Sequence, residues 1–339
     1  MKYGVSYFGS RILKHVEEDM KELKEIGFDV IVHTFSENDH KFYFMKELKE
    51  IGFDVIVHTF SENDHKFYFR TMKDIVKLTR DLGMEVWIDP WGVGIENPSE
   101  WQITNRGRAV GSACFNSPKF REYMKRWLEA AVETGADAVF WDEPHFHILK
   151  DFPKEWTCRC ERCKEKFKET YGHDMPEEFT EEVSNFRNKT IKDFFEEVLS
   201  YSKKLGMKNV ICFLPFESEL FGLKDYESIA KIEYVDNIGS DPYWMAFKLE
   251  MNPFLKETTQ KILKLSSKYG KENHMWLQAF KVPRGREEDI VKGAKILKKE
   301  NVETVLFWGV FACKHISSIA PDDPEKAWEV VKQIVKEVR

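Results

Sequence analysis

Asp142 and Glu143 stand side by side behind the apolar residues Val139, Phe140 and Trp141 and in front of Pro144. Adjacent carboxyls can divide acid–base work. One is held protonated to assist a leaving oxygen, and the other is ionised to attack or to activate water. Position decides between that chemistry and a plainer role, since Asp before Glu-Pro is also a common way to cap a helix. The short apolar run follows a helix-patterned segment over 118–135 and reads as a parallel strand. Pro144 has no N–H to give a ladder, so pairing ends there and both carboxyls fall at the strand's carboxyl end. In barrels and open parallel sheets, that end is where ligands bind.

A second group with chemistry in it is Cys158, Cys160 and Cys163. Thiolates this close can share one tetrahedral zinc, and a closed structural site wants four ligands. Cys114, in the preceding strand's loop, is the natural fourth. A Cys₄ zinc site leaves no position for water, so the metal is expected to be a structural staple. Cys212 and Cys313 lie in apolar, strand-like settings and read as buried spectators.

The elements that must position these groups alternate along the chain. Strand patterns cover 3–8, 28–35, 85–90, 139–143, 209–214, 236–241, 274–280 and 304–310. Helical stripes cover 11–26, 68–82, 118–135, 161–205, 253–269, 286–300 and 324–334. Connections after strands are long and aromatic, and those before strands are short and carry Gly27, Gly83, Gly135 and Gly206. An active face opposite a stabilising face produces that asymmetry. The expected fold is an α/β (β/α)₈ TIM barrel forming a single domain over 1–339, with a doubly wound sheet the alternative.

One oddity interrupts the alternation: residues 20–44 recur without a single change as 45–69. Natural repeats drift, so one perfect pair reads as a tandem duplication and not as a solenoid. Closure ties strand number to tilt and shear. The barrel is therefore expected to keep eight strands, with 28–35 inside and the copy at 45–60 displaced outward as an insertion. A displaced apolar strand would need cover from the barrel's helices or from a second copy of the chain, which makes a homo-oligomer one expectation.

Polar and aromatic residues gather where these strands should end. They are His33 and Glu37, Asp89 and Trp91, His145, Glu217, Asp241, Trp244, Gln278 and Trp308. Several carboxyls and Trp faces converging on one barrel mouth suit a sugar. Asp89, Trp91, His145, Glu217, Trp244, Gln278, Trp308, His33 and Glu37 are expected to bind substrate there.

Composition narrows the partners. The chain has 339 residues and a net charge of −6, with no basic block, so nucleic acid is not expected. Ten Trp and 27 Phe fit a large core and a cleft that stacks flat apolar faces. Charged residues reach 32% and are mostly Lys and Glu, a composition in the direction of heat-adapted (thermophile) proteins. No apolar run reaches membrane-spanning length, and residues 1–6 enter a strand pattern directly, so cytoplasm is the expected compartment.

The order Ala113-Cys114-Phe115-Asn116-Ser117-Pro118, then Asp142-Glu143, then Cys158-x-Cys160-x-x-Cys163-x-x-x-Phe167 with Tyr171-Gly172, resembles glycoside hydrolase family 42. Those are β-galactosidases of the large clan built on (β/α)₈ barrels. The resemblance implies zinc on the four cysteines and makes Glu143 the acid/base, with Asp142 where the clan usually has Asn. It also implies a nucleophilic Glu at the end of strand seven, where this chain has only Gln278. Glutamine cannot form a glycosyl ester. The resemblance is thus to a distant relative, in which Asp241, or after it Asp142, partners Glu143. The alternative is a barrel that binds carbohydrate without cleaving it.

Overall fold

The computed structural model describes residues 1–7, 13–33, 54–59, 69–81, 84–90, 97–309, 313–314 and 318–337. Its strands are β1 (Lys2–Tyr7), β2 (Asp29–His33), β3 (Asp54–Thr59), β4 (Glu85–Asp89), β5 (Trp101–Ile103), β6 (Ala109–Ala113), β7 (Ala138–Asp142), β8 (Lys208–Phe213), β9 (Asn237–Ser240), β10 (Glu272–Gln278) and β11 (Thr304–Trp308). The helices are α1 (Leu13–Ile26), α2 (Phe69–Asp81), α3 (Pro118–Thr134), α4 (Glu161–Tyr171), α5 (Glu181–Lys204), α6 (Glu227–Ala230), α7 (Met251–Tyr269), α8 (Glu288–Lys299) and α9 (Pro324–Glu337). All strands except β5 and β6 form one closed parallel barrel in the order β1-β2-β3-β4-β7-β8-β9-β10-β11, with β11 returning to β1.

Local chemistry sets the element ends. At α3, the Ser117 side chain accepts a hydrogen bond from Phe120 N, Pro118 opens the first turn, and Gly135 closes the last at φ 84°. The stripe Phe120, Met124, Trp127, Leu128 and Ala131 is buried against the barrel.

Among the described residues the closed barrel has nine strands, which corrects the expectation of eight with residues 45–60 displaced. Both copies of the repeat contribute a strand. β2 pairs with β3 in a uniform register, from Asp29 against Asp54 to His33 against His58, so each residue lies beside its own repeat. β1 pairs with the first copy and β4 with the second. An identical strand presents the same two edges as the original, so only the β2–β3 seam is new. Insertion pairs the backbone N–H and C=O groups that an outlying strand would leave bare.

A second departure lies between the strand expected at 85–90 and the helix expected at 118–135, where the sequence pattern gives only a connection. Its β5–β6 hairpin carries Cys114 just past its end. The signal is weak because β5 is only three residues long.

Two-residue alternation sorts the barrel strands. Trp87, Ala138, Phe140, Val210, Cys212, Trp276 and Leu306 fill the interior, and Val139 and Trp141 turn outward to the helix layer. Trp141 packs 6.5 Å from Trp127 of α3 and donates its indole N–H to Asn209 Oδ1 at 3.1 Å. The inner series of β7 therefore runs 138, 140, 142 and delivers Asp142 to the mouth.

Glu22 of α1 faces Glu329 and Lys332 of α9, and burial, only partly offset by Lys332, pushes its carboxyl from an ordinary 4.5 to about 7. A raised acid binds its proton more tightly in the folded chain. That stabilisation is complete at pH below 4.5 and is lost as pH rises through about 7. The melting temperature is expected to fall as pH is raised across this window, and Glu22→Gln should flatten the dependence there.

Candidate active site

A pocket of about 230 Å³ opens at the carboxyl ends of the barrel strands. Four carboxylic residues line it: Asp89 from β4, Asp142 and Glu143 from the end of β7, and Asp241 just past β9. Phe140, Tyr243, Trp276, Phe280 and Trp308 supply the aromatic wall. Phe280 and Trp308 meet edge to face at 4.3 Å between centroids, and Tyr243 meets Phe280 at 5.0 Å.

Crowding acids in a confined space favours their neutral forms. Burial first, then the neighbouring Glu143 and Asp89 charges, pushes Asp142 well above the usual carboxylate range. Asp241 is 4% exposed, and burial first, then the neighbouring Glu143 and Asp142 charges, push it well above that range too. Burial first, then the Asp241 charge, likewise raises the Cys212 thiol and the Tyr243 phenol.

Alternation alone would send Glu143 outward with Val139 and Trp141. Instead its backbone turns at φ 39° while its N–H still reaches Cys212 O at 3.0 Å, and the side chain swings back over the mouth. A left-handed conformation at a non-glycine residue costs about 1–2 kcal/mol, and such strain tends to collect at functional positions. The Glu143 Oε2 atom lies 3.8 Å from His145 Nε2.

The loop carrying these groups is fixed from outside. Phe146 N donates to Phe221 O at 2.8 Å, joining the loops after β7 and β8. Gly222, at φ 76°, lets the second loop pass so close that a Cβ there would come within 2.4 Å of the Phe146 ring. Arg187 of α5 is buried, lies over the Phe146 ring at 4.7 Å, and donates to Glu219 O and Leu220 O.

Not every expected residue reaches the pocket. Asp89, Asp142, Glu143, Asp241 and Trp308 line it. Trp244 is fully buried beside Gly293 of α8, and the neighbouring Tyr243 takes the wall position. Glu217 is turned away: its carboxylate accepts from Tyr226 N at 2.7 Å and pairs with Lys261. Trp91 and Glu37 lie outside the described residues, and of His33 only the strand backbone is described. Tyr243, Trp276, Phe140 and Phe280 complete the wall. Their inward period along the strands was the signal for Phe140 and Trp276.

Gln278 is a latch. Its Oε1 accepts from Met245 N at 3.2 Å and Ala246 N at 3.1 Å, and its Nε2 donates to Phe280 O at 2.8 Å. A carboxylate here would keep the two N–H bonds but face the Phe280 carbonyl with a charged oxygen. Gln278→Glu is therefore expected to lower stability by about 1–3 kcal/mol and not to raise any hydrolytic rate. Denaturant melts and turnover assays of the variant read both.

The four cysteines form a separate cluster under the β5–β6 hairpin. All are buried free thiols, and their sulfurs lie within 4.8 Å of one another. Cys114 Sγ is 3.6 Å from both Cys160 Sγ and Cys163 Sγ. Four sulfurs about 2.3 Å from a central zinc stand ~3.8 Å apart along the tetrahedron's edges, so the spacing suits that ion. Asn116 Nδ2 points at Cys163 Sγ at 3.4 Å, the kind of donor that steadies a thiolate. Among the described residues this is the one place where three or more Cys, His, Asp or Glu side chains converge on a common point.

No family model and no curated protein matches the chain. Solved structures do. An endo-1,4-β-mannanase from Rhizomucor miehei superposes with a TM-score of 0.59 at 9% identity, over 99% of this chain and 95% of that one. The endo-β-1,4-mannanase from Thermotoga petrophila gives 0.54 at 12% identity, over 99% and 76%. D-psicose 3-epimerase from Clostridium cellulolyticum H10 gives 0.51 at 10%, over 99% and 97%. The chain shares their parallel α/β barrel. At these identities the likeness is one of fold alone.

Proposed function

We propose that the protein is a glycoside hydrolase whose acid/base is Glu143, with Asp241 as its partner carboxyl. The observation that carries this reading is that Glu143 and the buried Asp241 line one pocket beneath an aromatic wall. Glycosidic cleavage needs a proton donor and a carboxylate, and two carboxyls facing one pocket with one proton between them would supply both. Glu143, the member nearer solvent, passes the pair's proton to the glycosidic oxygen as the C–O bond breaks. Hydroxide from water adds to the anomeric carbon, and the water's remaining proton returns to the pair. Asp142 and Asp89 sit where ring hydroxyls would bind. Trp276 Nε1 and Asp241 Oδ1 are buried without a hydrogen-bond partner among the described residues, and both belong to the pocket wall. A ligand rich in hydroxyls would satisfy one donor and one acceptor there. The volume is below the ~300–1,000 Å³ of drug-sized sites and suits a single sugar ring.

The Cys₄ cluster completes the proposal as a structural zinc staple held by Cys114, Cys158, Cys160 and Cys163. Zinc would supply cross-linking there and no chemistry at the pocket.

A second reading has support from Gln278. The residue matching the related enzymes' nucleophile is consumed by main-chain hydrogen bonds, as in a barrel that binds a sugar without cleaving it. A panel of aryl glycosides decides between the two. Release of the aryl alcohol by wild type, with the first-formed anomer followed by NMR, supports hydrolysis and gives its stereochemistry. Saturable sugar binding without turnover on any member supports the second reading.

A further inference from the structure

The pocket at the barrel mouth is one-sided in charge. Asp89, Asp142, Glu143 and Asp241 line it beside five aromatic side chains, and among the described residues no Lys or Arg does. The chain has 52 Lys and Arg to draw on, and carboxylates elsewhere find them. Glu197 pairs with Arg121 and Lys125, and Glu217 with Lys261. Among the described residues, His145 Nε2, 3.8 Å from Glu143 Oε2, is the one basic atom paired with Asp142, Glu143 or Asp241. Burial first, then the Glu143 and Asp89 charges, raises Asp142, and no cation lowers it. Burial, then the Glu143 and Asp142 charges, does the same to Asp241. These acids are raised because their negative charge lacks a counter-charge.

Independently of charge, two polar atoms in the wall point to a ligand. Asp241 is 4% exposed, and its Oδ1 is a buried acceptor with no hydrogen-bond partner among the described residues. Trp276 is 3% exposed, and its Nε1–H is a buried donor without one. Something polar belongs in the pocket, and the charges around it select a positive group. The rings agree with that choice, since aromatic faces attract cations and Trp does so best.

We propose that the sugar taken by this pocket is an amino sugar, its protonated amine held by Asp89 and Asp142. Those two acids end the neighbouring strands β4 and β7, and Asp241 follows β9, two strands farther round the barrel. Phe140 lies one inward step before Asp142 and lines the same wall. An ammonium has three N–H donors and no acceptor, so it serves two carboxylates at once. It replaces one of the ring hydroxyls assigned to that corner and leaves Glu143 and Asp241 to the glycosidic bond. The inference rests on reading the pocket as a sugar site, whether the sugar is cleaved or only bound.

Equilibrium binding tests this without turnover. Glucosamine, galactosamine and mannosamine are each compared by titration calorimetry with the neutral parent sugar and with the N-acetylated form. At least one amine is expected to bind on the order of tenfold or more tightly than its parent, as a hydrogen bond to a charged group allows. Acetylation removes the charge and should abolish the gain. Asp142→Asn keeps the shape without the charge and should bring amine and parent level. Equal binding of amine and parent to wild type, or binding of none of the sugars, overturns the inference and needs no variant to fold. A preference that survives in both Asp142→Asn and Asp89→Asn also overturns it. Manganese(II) covers the other source of positive charge. An ion held by wild type and lost in Asp142→Asn, with no preference among the sugars, would overturn the amine in favour of a metal. Aryl glycosides separate this inference from the hydrolase reading. Turnover of neutral glycosides with no gain for the amino-sugar analogues overturns the inference and leaves the hydrolase standing. Preferential binding of an amine by a protein inert on every glycoside supports the inference and removes the hydrolase.

Discussion

Glu143→Gln is expected to lower kcat on an aryl glycoside by about 10²–10⁴-fold, the range that general acid–base groups contribute. The amide keeps the shape of the side chain but cannot hand over a proton. Glycosides with a strongly acidic aryl alcohol as leaving group need less protonation, so the loss should shrink along a series of such substrates. Asp241→Asn should also fall steeply, yet without that dependence on the leaving group if Asp241 serves the anomeric carbon. Neither change should unfold the chain. Asp142 and Asp241 are both raised in part by the Glu143 charge, so Glu143→Gln should melt no lower than wild type near neutral pH. An active Glu143→Gln would end the assignment of this carboxyl as the acid.

Metal removal should have the second large effect, on stability. The purified protein is expected to carry close to one zinc per chain by metal analysis. Structural zinc sites release roughly 10–16 kcal/mol on binding in isolated peptides, so chelation or Cys160→Ser should lower the melting temperature by about 10 °C or more. The cluster ties the β5–β6 hairpin to α4, and Asn116 links it onward to Thr190 of α5 at 3.4 Å. Arg187 lies one turn earlier on that helix. Loosening the cluster should therefore be felt at the Phe146–Phe221 seam at high temperature, while turnover at low temperature stays near wild type. A protein purified free of metal, with the four thiols open to alkylation, would sink the zinc assignment.

Much of this arrangement could be read along the chain because strands impose a simple rule. Inward residues repeat every second position, so placing β7 also places Asp142, and placing β4 and β11 places Asp89 and Trp308. The rule stops where the strand stops. Glu143 reaches the pocket through a left-handed turn that no alternation foretells. Trp244 and Glu217 lie in loops, where a side chain's direction depends on the partner it finds, here Gly293 for one and Tyr226 N with Lys261 for the other. Gln278 is invisible as a latch until the N–H groups of Met245 and Ala246, from the loop after β9, meet its amide. The repeat misled for a different reason. Barrel closure argued for eight strands, but an exact copy of a strand brings edges already fitted to its neighbours.

That seam between β2 and β3 has a genetic side. Because the two copies are identical, removing 25 consecutive residues beginning anywhere from Met20 to Met45 leaves one and the same shorter chain. Slippage or recombination between the repeats reaches that product from many breakpoints, and the reverse event restores the longer form. Strand number in this barrel is therefore a trait that one copying error can change. The described pocket residues, all from β4 onward, keep their sequence through the change. Selection on the ninth strand can proceed through stability alone, leaving the chemistry at the mouth to evolve on its own schedule.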